Sequence, residues 1–160
     1  MSLIIGTSGV QKLMVGYPTV TDKYDVGPAI LGGDAAVLPG DVVVHTANHA
    51  VYEAASSISD FSEVAGIVLA TNIKVPTLWP APKGPVAFQV GEAFGLMVRG
   101  FVAVALDEGA DLADAVEGAP VYLTAAGKLT TVSASNIATP WKFMGVNELH
   151  DAVKVAEIVM

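Results

Sequence analysis

Glycine and proline interrupt this chain so often that a helix has almost nowhere to form. There are 16 glycines and 9 prolines in 160 residues. An amphipathic helix needs apolar residues at i, i+3 and i+4 sustained over roughly ten residues, and few segments offer that. The best candidate, Asp111–Val116 (DLADAV), is short enough to be a single turn or a loop. Strand signals are plentiful instead. Asp41–Thr46, Val51–Ala54, Val64–Thr71, Pro120–Thr124, Lys128–Val132, Trp141–Val146 and Val153–Val159 are rich in Val, Ile, Thr and aromatics, and turn residues bound most of them. Phe94–Leu106 is long for one strand, and Gly100 marks a bulge or sharp bend within it. Many short strands at close spacing predict an all-β barrel or sandwich with little helix.

The strands fall into two similar units, about 23–74 and 86–160. Gly40 matches Gly118, Val43 matches Val121, Val51 matches Leu129, and Val42 and Val44 fall on Pro120 and Tyr122. A serine-bearing stretch follows in both, Ser56–Ser59 and Ser133–Ser135, and Gly66 then matches Gly145. Each unit reads as a turn glycine, a strand, a short turn, a second strand, a polar loop and a strand centred on glycine. A period of roughly 80 residues is too long for a solenoid, so two like β units packed together are expected. Between them Val75–Pro85 holds Pro76, Pro80, Pro82 and Pro85. Proline has a fixed φ and no backbone donor, so this segment reads as an extended, irregular connection. Residues 1–22 carry little charge and no clear period, and read as an N-terminal arm or an added edge strand.

Charge and hydropathy narrow the function classes. There are 8 basic against 16 acidic residues, a net charge of −8 and a sequence pI near 4.6. Phosphate binding rests on clustered Lys and Arg, so no nucleic-acid partner is expected, nor a polybasic membrane patch. The mean hydropathy of +0.56 is high. Yet Val64–Ala70 is flanked by Glu63 and Asn72, and Ala93–Leu106 is broken by Arg99 and Gly100. Neither reaches the roughly 18–20 apolar residues of a membrane-spanning helix. The N-terminus has no basic segment before its apolar residues and does not read as a signal peptide. The apolar surplus points to subunit contacts. With no cysteine, disulfides, Cys-based zinc sites and thiol nucleophiles are excluded.

Residues with chemical potential do not assemble into a motif. His45 and His49 are spaced like two ligands on a helix, but DVVVHT reads as a strand and Ala47–His49 as a hairpin turn, and the glutamate of HExxH is missing. Asp107, Glu108, Asp111, Asp114 and Glu117 lack the alternating order of a calcium loop and read as a solvated acidic loop, able to face a basic partner. No GxGxxG, GK[ST] or GxSxG occurs; Ser56, Ser57, Ser59 and Ser62 read as a polar loop. No cofactor, metal or catalytic residue is expected. Trp141 reads as core. Trp79, on the irregular segment with Pro80 and Pro82, is a candidate partner contact, because tryptophan is favoured at interface hot spots. Tyr17 and Tyr24 are the remaining candidates, the only others able to build a flat aromatic platform with Trp79.

From Val98 the sequence runs VRGFVAVALDEGADLADAVEGAPVYLTAAGKLTTVSASNIATPWKFMGV and closes with AEIVM. Through Gly100, Gly118, Val121, Tyr122, Gly127, Lys128, Thr130, Asn136 and Gly145 it resembles the small capsid decoration, or head cement, proteins of tailed bacteriophages. The first unit, with PGDVVVHTANHAVYEAAS and VAGIVLAT, resembles the same module again, so the likeness runs from Tyr24 to the end. The resemblance implies a compact β module on the outside of the virion, made in the host cytoplasm. It also implies a homotrimer that bridges major capsid protein subunits, has no catalytic residues, and uses an arm suited to strand addition. The proline-rich segment with Trp79 lies outside that pattern. A tail or minor virion β protein, a carbohydrate- or host-surface-binding β module, and a metal-dependent enzyme using His45 and His49 are the alternatives.

Overall fold

Among the described residues ten strands account for nearly all the regular structure, as the density of β-branched residues and turn signals requires. The computed structural model describes residues 15–16, 25–70, 87–150 and 153–160. Strands β1 (Asp25–Leu31), β2 (Val42–His45), β3 (Val51–Ala54), β4 (Val64–Leu69) and β5 (Ala93–Arg99) form a closed barrel in the order β1-β3-β2-β4-β5. Strands β6 (Phe101–Ala105), β7 (Pro120–Leu123), β8 (Leu129–Thr130), β9 (Ile137–His150) and β10 (Val153–Val159) form a second sheet in the order β6-β10-β9-β7-β8. Single 3-10 turns at Phe61–Glu63 and Leu112–Asp114 are the only helical pieces among the described residues, the second lying in the DLADAV segment. The all-β architecture is therefore the one expected. No described helix is long and apolar enough to cross a membrane.

The two sheets have one topology. Written from its first strand, the barrel runs β1-β5-β4-β2-β3 and the second sheet runs β6-β10-β9-β7-β8, so each strand has a counterpart five strands later. Even the closure repeats. The barrel closes through a parallel pairing of Ile30 with Val51 and Leu31 with Tyr52. The second sheet curls until its edges meet at one parallel bridge, Leu106 with Leu129, supported by Asp107 N–H donating to Leu129 O at 2.7 Å. Hydrogen bonds fix the equivalences. Gly40 N–H donates to Val68 O and Gly118 N–H to Phe143 O, while Val68 N–H donates to Asp41 O and Phe143 N–H to Ala119 O. Gly40 and Gly118 are thus equivalent. Gly32 N–H donates to Tyr52 O as Asp107 N–H does to Leu129 O, so the counterpart of Leu129 is Tyr52, and the match of Val51 with Leu129 is one residue out of register. Gly66 and Gly145 are not equivalent either. The partner of Val68 is Phe143, which places Gly145 beyond the position that Gly66 occupies. Spacing from the serine loops misaligned them, because those loops differ in length.

Two features of the chain were hidden from its sequence pattern. Strand β1 carries Gly27 and Pro28, which break the strand signal. Proline is tolerated because Ile30 N–H points to β3, donating to Ala50 O, while Leu31 N–H points to β5, donating to Glu92 O. Backbone donors alternate in direction along a strand. Pro28 would therefore have pointed its missing N–H toward β3, ahead of the short β1–β3 ladder that begins at Ile30. The long segment Phe94–Leu106 is two strands of different sheets, meeting at Gly100 with φ +138°. A side chain is strongly disfavoured at that φ, so glycine lets the chain pass from barrel to second sheet with no intervening loop.

The core explains the apolar surplus. The barrel interior holds Leu31, Val43, Val68, Phe88, Phe94 and Leu96. Residues alternating with these on the same strands, Val42, Ile67, Leu69 and Met97, point out of the barrel and are buried just as fully. They join Val102, Val104, Val121, Leu123, Trp141, Phe143 and Ile158 of the second sheet in one continuous cluster. Strands buried on both faces read as unbroken apolar runs rather than alternating ones. Much of the excess hydropathy expected at subunit contacts is therefore spent inside the chain, between its two halves.

Further contacts lock that joint. Ile58 N–H donates to Ala125 O at 2.7 Å, and Phe61 meets Trp141 edge to face at 5.3 Å. Gly127, at φ +76°, leaves no room for a side chain: a Cβ there would lie 2.3 Å from that of Ala55. Of the N-terminal arm, Val15 and Gly16 are described. Gly16 N–H donates to Ala103 O of β6, and Gly16 O accepts from Ala70 N–H at the end of β4, so one residue ties both sheets. Val15 packs on Ala103 and Val155. The rest of the arm and the proline-rich segment 75–85 lie outside the described residues.

Candidate interaction surface

His45 ends β2, exposed and tilted against Tyr52 at 5.9 Å, and His49 lies in the β2–β3 turn. That turn is built by its own polar side chains. Thr46 Oγ1 donates to Val51 O and accepts from Asn48 N–H, and Asn48 Oδ1 accepts from Ala50 N–H. Among the described residues no group of three or more His, Cys, Asp or Glu could hold a metal ion. Nor is any buried side-chain nitrogen or oxygen without a partner. Trp141 is in the core.

The serine-bearing and acidic loops are structural caps. Glu63 Oε1 accepts from Ser59 N–H, Ser59 Oγ–H and Asp60 N–H, and Asp60 Oδ1 accepts from Ser62 N–H, a reciprocal capping box around the 3-10 turn. These donors favour the ionised form. The Ser59 hydroxyl and backbone hold Glu63 below its usual carboxylate range, and Ser62 does the same for Asp60. In the acidic loop Asp107 Oδ2 accepts from Gly109 N–H and Asp111 Oδ1 from Ala113 N–H. Lys154 Nζ donates to the carbonyls of Glu108 and Ala110, pinning the loop to the start of β10. The Asp107 and Asp111 carboxylates thus turn to local backbone.

Tyr17, Tyr24, Trp79, Pro80 and Pro82, the expected partner contacts, all lie outside the described residues. The described surface offers other apolar groups. Leu149 is 65% exposed near the end of β9, opposite Lys154 across the β9–β10 ladder, and Val153 is 43% exposed at the start of β10. Val90 is 48% exposed within a tight turn before β5. Sequence pattern did not single these out, because an exposed valine or leucine in a strand reads like a buried one.

The described residues form a β structure whose surface carries isolated apolar projections. The structural cement protein family of phages (E217 gp24/Pam3 gp6) matches residues 7–160. This chain belongs to that family. It is thus a structural cement protein of a phage capsid, as the resemblance in its sequence implied. A chain from "The capsid of Myoviridae Phage XM1" shares the fold of this cement protein, with a TM-score of 0.68 at 16% identity, covering 98% of this chain and 96% of that one. No curated protein matches it in sequence.

Proposed function

We propose that this cement protein sits on the outer surface of a tailed-phage head, where it bridges neighbouring major capsid protein subunits as a homotrimer. It is made in the host cytoplasm and joins the particle there. The family match over residues 7–160 carries this reading. The shared core between the two sheets supports it, because a bridging element must transmit force without its own halves separating. Repetition around a shell also makes individually weak contacts sufficient through effective concentration.

The test is a density gradient of particles from the source culture, with each fraction probed for this chain by mass spectrometry. Co-migration with DNA-filled heads at copy numbers near that of the major shell protein is expected. A few copies per particle would transfer the chain to a tail or minor role, and absence from particles would end the virion reading. Cross-linking on the particle surface is expected to give a trimer of the chain, and a product no larger than a dimer would remove that part of the proposal.

A further inference from the structure

The outer faces of the two halves differ at one equivalent spot. Leu31 N–H donates to Glu92 O as Leu106 N–H does to Lys154 O, so β1 with β5 is the counterpart of β6 with β10. The register then runs on without a shift. Pro28 pairs with Gly95 as Ala103 does with Glu157, and Ile30 pairs with Ala93 as Ala105 does with Val155. Pro28 and Ala93 are therefore the counterparts of Ala103 and Val155. In the second sheet the spot is covered: Val15 packs on Ala103 and Val155, both fully buried, and Gly16 N–H donates to Ala103 O. In the barrel it is exposed. Pro28 and Ala93 face solvent, with Val26 (42% exposed) and Ile30 (45%) on the same side of β1. Pro28 O points to the edge that the β1–β3 ladder leaves open ahead of Ile30, and has no hydrogen-bond partner among the described residues. Proline lacks a donor but keeps this acceptor.

The arm carries two versions of the segment that covers the first spot. Leu13, Met14, Val15 and Gly16 are matched in order by Leu3, Ile4, Ile5 and Gly6. Glycine is required at the seated copy: Gly16 has φ +79°, and a Cβ there would lie 2.4 Å from that of Pro39. Residues 7–12 (TSGVQK), between the two segments, are mostly small or polar, as suits a flexible linker. From Gly6 to Gly16 the chain can span at most about 33–36 Å. The distance to cover is shorter. Gly16 O accepts from Ala70 N–H, and the neighbouring Leu69 stands in one row with Gly95 and Pro28 across β4, β5 and β1. Two strand spacings come to about 10 Å. A tether this short holds residues 3–6 at an effective concentration of roughly millimolar beside their own barrel, which favours that face over the same face of another copy.

We infer that residues 3–6 dock on the outer β1–β5 face of their own chain, with Ile5 on Pro28 and Ala93 and with Gly6 N–H donating to Pro28 O. The docked segment repeats on the barrel the contact that Val15 and Gly16 make on the second sheet. It adds main-chain pairing to an open strand edge and takes Val26 and Ile30 out of water. The arm is then a strap fastened once to each half of the molecule, across the joint, and not a tail held out to a neighbour.

The chain has no cysteine of its own, so a full-length Ile5→Cys/Ala93→Cys variant reports a single pairing. Oxidised at low protein concentration, it is expected to form a disulfide within one chain, seen as a species of monomer mass and located by mass spectrometry of the linked peptides. Ile5→Cys/Val116→Cys places the second cysteine at an exposed position away from the β1–β5 face, and is expected to form about tenfold less. Hydrogen exchange supplies a second reading that needs no cysteine. Ile5→Asp, or removal of residues 1–10, is expected to speed exchange of the 25–31 backbone about threefold or more and to leave that of 101–105 unchanged. A disulfide between chains, a yield no higher than the control's, or unchanged exchange at 25–31 in both arm variants would each overturn the inference.

Discussion

The barrel and the second sheet follow the same path through space but are stabilised differently. The barrel has a core of its own around Val43, Val68 and Phe94. Among the described residues the second sheet has only a small separate cluster, Ala103 and Val155 under Val15; its interior residues, Phe143 and Leu123 among them, merge with the outer face of the barrel in one cluster. The barrel closes with a short ladder and the second sheet with a single bridge. One topology thus supports a self-sufficient half and a dependent half, and the difference lies in where the apolar residues point.

That contrast is open to direct attack. Phe143 is fully buried in the shared cluster, so Phe143→Ala is expected to cost about 3–5 kcal/mol and to lower one cooperative unfolding transition of the whole chain. Two separated transitions in calorimetry, with the barrel's unchanged, would break the idea of a shared core. A finer probe uses one strand. Ile67 faces the joint and Val68 the barrel interior, both fully buried. Ile67→Ala is expected to cost about 2–5 kcal/mol and to increase protease cleavage in the second sheet. Val68→Ala, a smaller deletion, is expected to destabilise less and without that preference. Equal cleavage patterns in limited proteolysis would remove the distinction between the two faces.

Gly127 and Gly91 sharpen the comparison at the level of backbone. Both have positive φ, but only Gly127 meets the other half of the chain, while a Cβ on Gly91 would find open space. Gly91→Ala is expected to cost about 1–2 kcal/mol from the left-handed backbone alone, and Gly127→Ala clearly more, read from urea midpoints. The smallest effect lies in the capping box that precedes β4. Because Glu63 titrates below its usual range in the folded chain, its contribution is present above the unfolded-state pKa, near 4.5, and is lost as pH falls below it through the folded value. Glu63→Gln should therefore show a shallower loss of stability on acidification than the parent, measured as denaturation midpoint against pH. Parallel curves would mean that this carboxylate does not contribute.

How much of this was legible in the sequence depended on whether one residue carried one signal. Strands such as β2, β3, β7 and β10 were visible because β-branched residues run between clear turns. Strand β1 was not, since Gly27 and Pro28 normally end strands and only the short β1–β3 ladder makes Pro28 harmless. The order of the repeat was readable from Gly40 and Gly118. Its exact register was not, because hydrogen bonds, not glycines, set the equivalence of Val68 and Phe143. The joint was invisible for a related reason: Val42 and Val43 look alike in sequence, yet one faces the joint and the other the barrel interior. The projections escaped notice because exposure is decided by where a strand ends relative to its neighbours, as at Leu149. Family resemblance succeeded where site reading could not, since it rests on turn and strand positions such as Gly118, Val121 and Gly127 rather than on a catalytic motif.

Gly100 leaves a mechanical consequence. Strands β5 and β6 form one covalent thread with a single residue between them, so tension drawing the two halves apart would run along that thread. Hydrogen bonds of an antiparallel ladder lie across the strands. Such a pull would load the ladders of β5 with β1 and β4, and of β6 with β10, in shear. The bonds would then share the load side by side rather than opening one after another, as the seam of a swelling container must if it is to hold.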